Sequence, residues 1–319
     1  MTIEVLVVGN FFPSVLTDLN ASFTVHHVQN ADELAGMDDA VLARVEGFAT
    51  FGWAPVEVID RMPNLKLISS FGVGYDGVAA DHAASKGIVT AHTPNVLNDD
   101  VANTTIMLVL ATMRRMVEQD RYLRDGRWVR DGNAPLTTSI AGKTVGIVGL
   151  GRIGEAIAHK LSVFNCTTVY HSRNEKPGVD YAYYGDLVEM ATASDVLIAI
   201  TPGGPATNKL INKAVIEALG PTGTLINVAR GTVVDEAELV SALQDGRLGS
   251  AGLDVFEDEP NVPQELIDMD HVVLTPHVAS ATWETRQAMS DLVVENLTTF
   301  FDKGAPTAPV PEAAHLIKG

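Results

Sequence analysis

Short apolar segments rich in Val, Ile and Leu recur along the chain and alternate with stretches of helical periodicity. The clearest apolar segments are residues 4–9, 145–148 and 196–200, and residues 65–70 and 223–229, which include polar side chains, are also predicted to be buried strands. Because they do not alternate apolar with polar residues, they predict strands buried on both faces, as in a parallel sheet. Strands that alternate with helices are typical of doubly wound α/β domains. The pattern therefore predicts an α/β protein.

Two long helical segments stand out from this alternation. One is predicted over residues 101–124, with a charged C-terminal end, and crosses from the first part of the chain into the second. The other is predicted over residues 283–301, and we expect it to pack back on the first part. A chain of 319 residues is long enough for about two domains.

A glycine motif follows the central apolar segment directly. Residues 145–148 precede Gly149, Gly151 and Gly154 in the spacing G-x-G-x-x-G, and a helical segment begins at Glu155. This strand–turn–helix context is typical of a dinucleotide-binding turn, in which a helix N-terminus faces the pyrophosphate. The alternative is a glycine-rich turn in an α/β domain that binds no nucleotide.

The residues that close the following strand bear on the choice of cofactor. An NAD site places Asp or Glu about 20 residues after the glycines, where the carboxylate binds the ribose hydroxyls. Here the chain has Ser172, Arg173 and Asn174 instead. The guanidinium of Arg173 suits the 2′-phosphate of NADP, and its neighbours can add hydrogen bonds. We therefore predict NADP(H), against the alternative of an ordinary surface arginine beside an NAD site.

Composition and charge exclude several classes of partner. The chain is 46% hydrophobic and has a formal net charge of -18. Such an acidic protein is not expected to bind nucleic acid or an anionic membrane, and no apolar segment is long enough to span a bilayer. The single cysteine, Cys166, excludes a disulfide framework within the chain and favours a reducing cytoplasm. The histidines have no usable spacing with acidic residues, so no metal site is predicted.

Three residues with catalytic chemistry lie just beyond the C-terminal ends of predicted parallel strands. They are Arg230, Glu259 and His277, and this edge of the sheet, where ligands bind, also carries the glycine turn. His277 is the best general acid, since an imidazole titrates near working pH. Arg230 can bind a carboxylate and a keto oxygen together, and Glu259 can orient the imidazole, with Glu257 and Asp258 as alternatives. These roles match the reduction of a 2-keto acid.

A glycine-rich segment earlier in the chain is a candidate for substrate binding. Residues 71–78 hold three glycines and follow the predicted strand at residues 65–70. The N–H groups of Val73 and Gly74 could form a small nest for a carboxylate, although the glycines could equally serve a turn alone. Trp53, on an earlier loop, could wall the same pocket, against the alternative that it only packs.

In order and spacing, four segments resemble the D-isomer-specific 2-hydroxyacid dehydrogenase family. They are residues 148–154, 227–231, 251–260 and 275–277. The resemblance covers nearly the whole chain. Through residues 70–76 and 171–174 it is closest to the NADPH-preferring glyoxylate/hydroxypyruvate reductases, with the hydroxyphenylpyruvate reductases close to these.

The resemblance implies two Rossmann-like, doubly wound parallel-sheet domains with a cleft between them. A discontinuous substrate-binding domain would comprise residues 1–98 and 283–319, and a dinucleotide-binding domain would comprise residues 99–282. The resemblance also implies a homodimer formed largely through the dinucleotide-binding domains.

The resemblance further assigns residues to the site. It implies the Arg–Glu–His triad named above and selects Glu259, because the family's glutamate stands five residues after the aspartate that Asp254 matches. Val73 and Gly74 would bind the substrate carboxylate. The implied cofactor contacts are Leu150, Gly151, Arg152, Ile153, Ser172, Arg173, Asn174, Val228 and Asp254. Thr201, which begins a loop that departs from the family's Pro-Leu-Thr, completes this set near the adenosine.

These observations predict an NADPH-dependent reductase of glyoxylate and hydroxypyruvate, giving glycolate and D-glycerate, with His277 as general acid. One alternative is a reductase of larger aromatic 2-keto acids such as hydroxyphenylpyruvate. The other is a non-catalytic dinucleotide-sensing interaction protein, since the resemblance extends to transcriptional corepressors that keep the fold and the triad. The chain shows no extended disordered tail or peptide-docking stretch that would favour the latter.

Overall fold

The contacts within the chain divide it into two compact units. A computed structural model describes residues 2–317. Unit 1 runs up to Leu97 and resumes at Ala281, and unit 2 is Asn98–Ser280. The assignment of substrate binding to one unit and dinucleotide binding to the other remains a prediction, because contacts do not show what a unit binds.

Unit 1 is built on a parallel β-sheet. Its strands are β1 (Glu4–Val8), β2 (Thr24–Val28), β3 (Val45–Thr50), β4 (Trp53–Ala54), β5 (Leu67–Ser70), β6 (Gly77–Val78) and β7 (Val89–Ala91). Five of them pair in the order β2-β1-β3-β5-β7, which is the order of a flavodoxin-like doubly wound sheet. The other two, β4 and β6, form a separate parallel ribbon in which Trp53 pairs with Gly77.

In the part of unit 1 that the structure describes, six α-helices complete the fold, and the last of them lies in the C-terminal part of the chain. They are α1 (Pro13–Asn20), α2 (Ala31–Ala35), α3 (Asp39–Leu42), α4 (Val56–Asp60), α5 (Ala80–Ser85) and α14 (Trp283–Lys303), followed by a 3-10 helix at Pro311–Leu316. The Thr282 side chain caps α14 by accepting from Thr285 N at 3.2 Å. Gly47 lets α14 approach β3 closely, because a Cβ there would lie 2.9 Å from Leu297.

Unit 2 contains a seven-stranded parallel sheet. Its strands are β8 (Thr144–Val148), β9 (Thr167–His171), β10 (Ala182–Tyr183), β11 (Val196–Ala199), β12 (Thr224–Asn227), β13 (Ser250–Leu253) and β14 (Val272–Leu274). They pair in the order β10-β9-β8-β11-β12-β13-β14, and the first six follow the order of a Rossmann sheet. The strand order reverses at β8, so the glycine turn after β8 lies at the point where such sheets bind ligands. The predicted α/β class with two Rossmann-like sheets is confirmed.

The helices of unit 2 connect these strands. They are α6 (Asn98–Met113), α7 (Met116–Arg124), α8 (Arg127–Asp131), α9 (Arg152–Leu161), α10 (Leu187–Thr192), α11 (Lys213–Leu219), α12 (Glu236–Gln244) and α13 (Gln264–Asp268), with 3-10 helices at Ser162–Phe164 and Gly231–Val233. Across residues 2–317, none of the helices has both the length and the apolar character that a membrane crossing requires.

The prediction of one helix over residues 101–124 is wrong. The helix ends at Met113, Arg115 adopts a left-handed conformation with φ 48°, and a new helix begins at Met116. No glycine or proline marks this break. The Met113 carbonyl, which a continuing helix would use, instead accepts from Thr138 N at 3.1 Å. A tertiary contact therefore ends α6, and the local sequence carries no sign of it.

Candidate active site

Two of the three motif glycines are required by close backbone packing, and the third borders open space. Gly149 has φ +103°, and a Cβ there would lie 2.8 Å from the Ile200 carbonyl oxygen. A Cβ at Gly154 would lie 2.3 Å from the Gly149 oxygen. At Gly151, an added Cβ would meet nothing within 4 Å. The turn thus leaves backbone accessible at the position where a pyrophosphate must approach closely.

The start of α9 offers donors to an anion. Its N-cap is Gly151, which is extended, and no side chain caps the first turn. The first N–H groups of a helix lack intrahelical acceptors and lie at the positive end of the helix dipole. Nearby, the Thr201 hydroxyl oxygen is buried and finds no hydrogen-bond partner within residues 2–317. This donor set fits the phosphates of a dinucleotide.

Strand β9 is the neighbour of β8, and it is followed by Ser172, Arg173 and Asn174. These residues therefore lie at the same edge of the sheet as the glycine turn. The Ser172 hydroxyl donates to the Asn174 carbonyl oxygen at 2.6 Å, and its own carbonyl accepts from the Tyr183 hydroxyl at 3.2 Å. These bonds order the turn, while the Arg173 side chain is exposed. An exposed guanidinium on an ordered turn can bind a phosphate.

Lys176 is a basic residue of this region that sequence reasoning missed. Its Nζ lies 3.2 Å from the Leu150 carbonyl oxygen and 2.7 Å from a carboxylate oxygen of Glu155. It therefore joins the loop after β9 to the glycine turn and adds positive charge beside it. The sequence spacing that marks cofactor contacts extends only to the end of β9, so only the fold reveals that the chain returns to the glycine turn at Lys176.

The candidate acid and its partner carboxylate form a direct hydrogen bond. Nδ1 of His277 lies 2.7 Å from Oε2 of Glu259, and Oε1 of Glu259 accepts from Phe256 N at 3.1 Å. The imidazole is 49% exposed and the carboxylate 35%. Because Nδ1 donates to the carboxylate, Nε2 is the ring atom left to exchange a proton with a ligand. Neither Glu257 nor Asp258 makes this contact, since the acid bonded to the imidazole is Glu259.

Asp254 holds the segment that carries the imidazole. It is only 1% exposed, and its carboxylate accepts from the Thr275 hydroxyl at 2.7 Å and from the N–H groups of Val278 and Ala279 at 2.9 Å. Its own carbonyl accepts from His277 N at 2.8 Å. His277 has φ +53°, a strained backbone conformation that these bonds stabilise. The predicted contact of Asp254 with a cofactor stays a prediction.

Arg230 stands on a turn that is built around a buried amide. Asn227 donates to the Arg230 carbonyl at 3.0 Å and accepts from Ala229 N at 3.1 Å. The turn packs directly on the loop that carries the glutamate, because a Cβ at Gly231 would lie 1.9 Å from the Phe256 carbonyl carbon and oxygen. The strands β12, β13 and β14 are neighbours, so all three triad residues follow adjacent strand ends.

The candidates for substrate binding in unit 1 lie on the loop after β5 and beside it. Val73 and Gly74 follow Gly72, whose φ of +139° favours glycine. Trp53 lies in β4 and is 37% exposed, and its carbonyl accepts from the Thr50 hydroxyl at 2.5 Å. The ribbon of β4 and β6 thus flanks this loop within unit 1.

Unit 2 carries a proton donor, His277, a guanidinium, that of Arg230, and a glycine turn of the dinucleotide-binding type. An imidazole held by a carboxylate can give a proton, and a guanidinium can bind a carboxylate with two parallel hydrogen bonds. In the part of the chain that the structure describes, no group of three His, Cys, Asp or Glu side chains could hold a metal ion.

Comparison with known proteins places this site in a family. Residues 106–279 match the model of the D-isomer specific 2-hydroxyacid dehydrogenase, NAD binding domain. Hydroxyphenylpyruvate reductase of Plectranthus scutellarioides is 51% identical over 257 residues, which are 81% of this chain and 82% of that one. Glyoxylate/hydroxypyruvate reductase A of Arabidopsis thaliana is 48% identical over 266 residues, covering 83% and 84% of the two chains.

A solved structure matches this chain over almost its full length. The crystal structure of an NADPH-dependent glyoxylate/hydroxypyruvate reductase from Sinorhizobium meliloti, in complex with NADP and malonate, matches with a TM-score of 0.94. The two chains share 48% sequence identity, and the match covers 98% of each. The chain belongs to the D-isomer-specific 2-hydroxyacid dehydrogenase family.

Proposed function

We propose that this protein reduces small 2-keto acids, glyoxylate and hydroxypyruvate, to glycolate and D-glycerate with NADPH. The observation that carries the proposal is the 2.7 Å bond between His277 and Glu259, at the sheet edge that also bears the glycine turn and Arg230. It is supported by the relatives in Arabidopsis thaliana and Sinorhizobium meliloti, which are glyoxylate/hydroxypyruvate reductases.

Each residue has a defined part in this reaction. When bound, NADPH supplies the hydride that adds to the keto carbon, and negative charge then develops on the keto oxygen. His277 gives its Nε2 proton to that oxygen, and Glu259 stabilises the ring as its charge changes. Arg230 binds the substrate carboxylate and polarises the keto group. Within unit 1, the N–H groups of Val73 and Gly74 are the candidates for binding a substrate carboxylate, and Trp53 is the candidate for the wall of the substrate pocket.

The proposal divides the two tasks between the two parts of the chain. Residues 99–282 bind NADPH and supply Arg230 and His277, and residues 1–98 with 283–319 form the substrate-binding domain. The cofactor contacts are those named from the family resemblance. What supports them is the open backbone at Gly151 and the unpartnered hydroxyl of Thr201.

Arg173→Ala is expected to weaken NADPH binding about 10- to 100-fold, because a charge-assisted hydrogen bond to phosphate contributes roughly 1.5–3 kcal/mol. NADH, which lacks the 2′-phosphate, is expected to bind both proteins equally. Dissociation constants from fluorescence titration measure the difference. Arg44→Ala, which removes another exposed arginine, one of unit 1, is the matched control. An equal loss of affinity for the two cofactors would contradict the assignment of Arg173 to the phosphate.

A second candidate function is the reduction of a larger aromatic 2-keto acid. It is favoured by the 51% identity with a hydroxyphenylpyruvate reductase. NADPH oxidation measured with glyoxylate, hydroxypyruvate, pyruvate and phenylpyruvate in parallel distinguishes the two. We expect the highest kcat/KM with the two small polar acids. A clear preference for phenylpyruvate would keep the chemistry and change the substrate, and no turnover would favour a dinucleotide-sensing protein.

We further propose a homodimer formed through unit 2. Its segment from α6 to residue 137 exposes large apolar side chains, two of them almost fully: Leu136 at 98% and Val129 at 96%. Others of this segment that are more than one-third exposed are Met107, Met116, Val117, Leu123 and Trp128. Large exposed apolar patches mark interaction surfaces in soluble proteins.

Leu136→Asp is expected to shift the protein from dimer to monomer, because a charge would then be buried without a partner in the apolar contact. Light scattering coupled to size-exclusion chromatography measures the mass. Val163→Asp alters another exposed valine of unit 2, outside this segment, and should leave the mass unchanged. A monomeric wild type would contradict the proposed dimer.

A cytoplasmic location completes the proposal. The single thiol, Cys166, is half-buried, and burial raises its pKa, so it is a poor nucleophile and forms no disulfide within the chain. Cell fractionation with an antibody tests the location, and recovery outside the cytoplasmic fraction would contradict it.

A further inference from the structure

The loop after β5 is held from one side by the two residues that follow β7. Thr93 is fully buried and bonds Gly72 twice: its hydroxyl accepts from Gly72 N at 2.8 Å, and its N–H donates to the Gly72 carbonyl at 2.9 Å. A trans peptide unit points its C=O and its N–H in opposite directions. Because the Gly72 carbonyl points at Thr93, the N–H of Val73 points away from Thr93.

His92 fixes the orientation of the next peptide unit, the one between Val73 and Gly74. Its Nδ1 lies 2.9 Å from the Val73 carbonyl oxygen, and because a carbonyl only accepts, Nδ1 must carry the proton and donate. By the same geometry, the N–H of Gly74 points away from His92. Two successive N–H groups therefore face the side opposite the His92–Thr93 segment, and within residues 2–317 neither has a hydrogen-bond acceptor.

The His92–Thr93 segment is in turn fixed by the C-terminal part of unit 1. The His92 carbonyl accepts from the side chain of the fully buried Asn296 at 3.0 Å, and His92 N donates to the Ala308 carbonyl at 3.0 Å. Tyr75 packs edge-on against the imidazole, with ring centroids 5.3 Å apart, and donates to Glu312 at 3.1 Å. Burial and the Glu312 carboxylate raise the pKa of Tyr75 to about 12, so its hydroxyl stays a donor.

We propose that His92 is a positioning residue for the substrate carboxylate. Its Nδ1–H holds the peptide between Val73 and Gly74 so that the two N–H groups of the nest converge on one oxyanion. The inference rests on the proposed function, because it takes this loop to be part of the keto-acid site. His92 acts through the loop and takes no part in proton transfer, and its contribution lies in substrate affinity.

Replacing the donor should therefore weaken substrate binding and spare the chemical step. His92→Ala is expected to raise the KM for glyoxylate and the inhibition constant of oxalate roughly three- to tenfold, because the loss of one hydrogen bond weakens binding by about that factor. We expect kcat to change less than twofold. His92→Asn places an amide N–H where Nδ1 stands and should restore both constants towards wild type. The dissociation constant of NADPH should be the same for all three proteins.

The comparison of two variants separates positioning from general packing. If His92 only packs, His92→Asn and His92→Ala should both raise KM by the same factor, and kcat should fall as KM rises. That result would overturn the inference. Should His92→Ala not fold, His92→Gln, whose amide reaches the position of Nε2 and not of Nδ1, takes its place. His82→Ala removes another histidine of unit 1, one paired with Asp60, and should leave both constants unchanged.

The same measurements separate this inference from the proposed function. Wild-type turnover of glyoxylate combined with unchanged KM and oxalate inhibition in His92→Ala would overturn the role of His92 alone. Absence of wild-type turnover with every 2-keto acid would overturn the proposed function and this inference with it.

Discussion

His277→Ala is expected to lower kcat for a 2-keto acid about 10²- to 10⁴-fold, which is the usual contribution of a positioned general acid. The imidazole is the group that would protonate the keto oxygen, and Nδ1 is already engaged by Glu259 at 2.7 Å. NADPH binding should be retained, because the glycine turn and Arg173 lie at other strand ends. Steady-state kinetics and a fluorescence titration of NADPH measure the two effects separately.

The control for this experiment is a histidine at the opposite end of the same strand. His271 immediately precedes β14, whereas His277 follows it. Burial lowers the pKa of the His271 imidazole below its usual range. His271→Gln should keep kcat near wild type. If His277→Ala kept wild-type turnover, the role of general acid would have to be given up.

Gly231→Ala is expected to disable the site without changing any charged residue. A Cβ at this position would lie 1.9 Å from the Phe256 carbonyl carbon and oxygen and 2.3 Å from Glu257 N. These atoms are backbone, so the turn of Arg230 and the loop of Glu259 must separate. Overpacking of this kind costs about 1–3 kcal/mol of stability, and a displacement of about 1 Å can cost about 10²-fold in rate. Thermal unfolding and kcat/KM measure the two losses.

A second glycine of unit 2 provides the comparison. A Cβ at Gly185 would meet only the Tyr183 ring, at 3.8 Å, so Gly185→Ala should leave stability and kcat/KM near wild type. Wild-type kcat/KM in Gly231→Ala would show that the close approach of the two backbone segments does not position the triad.

The class of fold could be predicted because buried parallel strands leave a plain signal. The apolar runs at β1, β8 and β11 have no alternation, and each is buried over most or all of its length. The break in the helix at Arg115 could not be predicted in this way. It depends on a hydrogen bond between Met113 and Thr138, which are distant in sequence.

Some residues of the candidate site could likewise be predicted from the sequence, and others could not. Arg230, Glu259 and His277 could be named because the ends of parallel strands meet at one edge, whatever the loops between them do. The selection of Glu259 needed the family resemblance, since the residues alone left Glu257 and Asp258 as alternatives. In the structure, Glu259 is the acid bonded to the imidazole.

No sequence pattern identifies the residues that contact a loop distant from them in the chain. His92 and Thr93 lie about 20 residues beyond the loop that they bond, in a segment that looks like an ordinary turn. Lys176 returns to the glycine turn through one contact with Leu150 and one with Glu155. Spacing rules exist for glycine turns and for strand ends but not for such contacts, so these residues emerge only from the folded chain.

The central claim is that hydride passes from NADPH to the keto carbon of a small 2-keto acid at this site. The most direct test is to incubate the purified protein with glyoxylate and NADPH that carries deuterium at C4 of the nicotinamide, using each of the two stereoisomers. Mass spectrometry of the product should find glycolate with one deuterium at C2 from one isomer and none from the other. Absence of glycolate, or glycolate without deuterium from either isomer, would contradict the account.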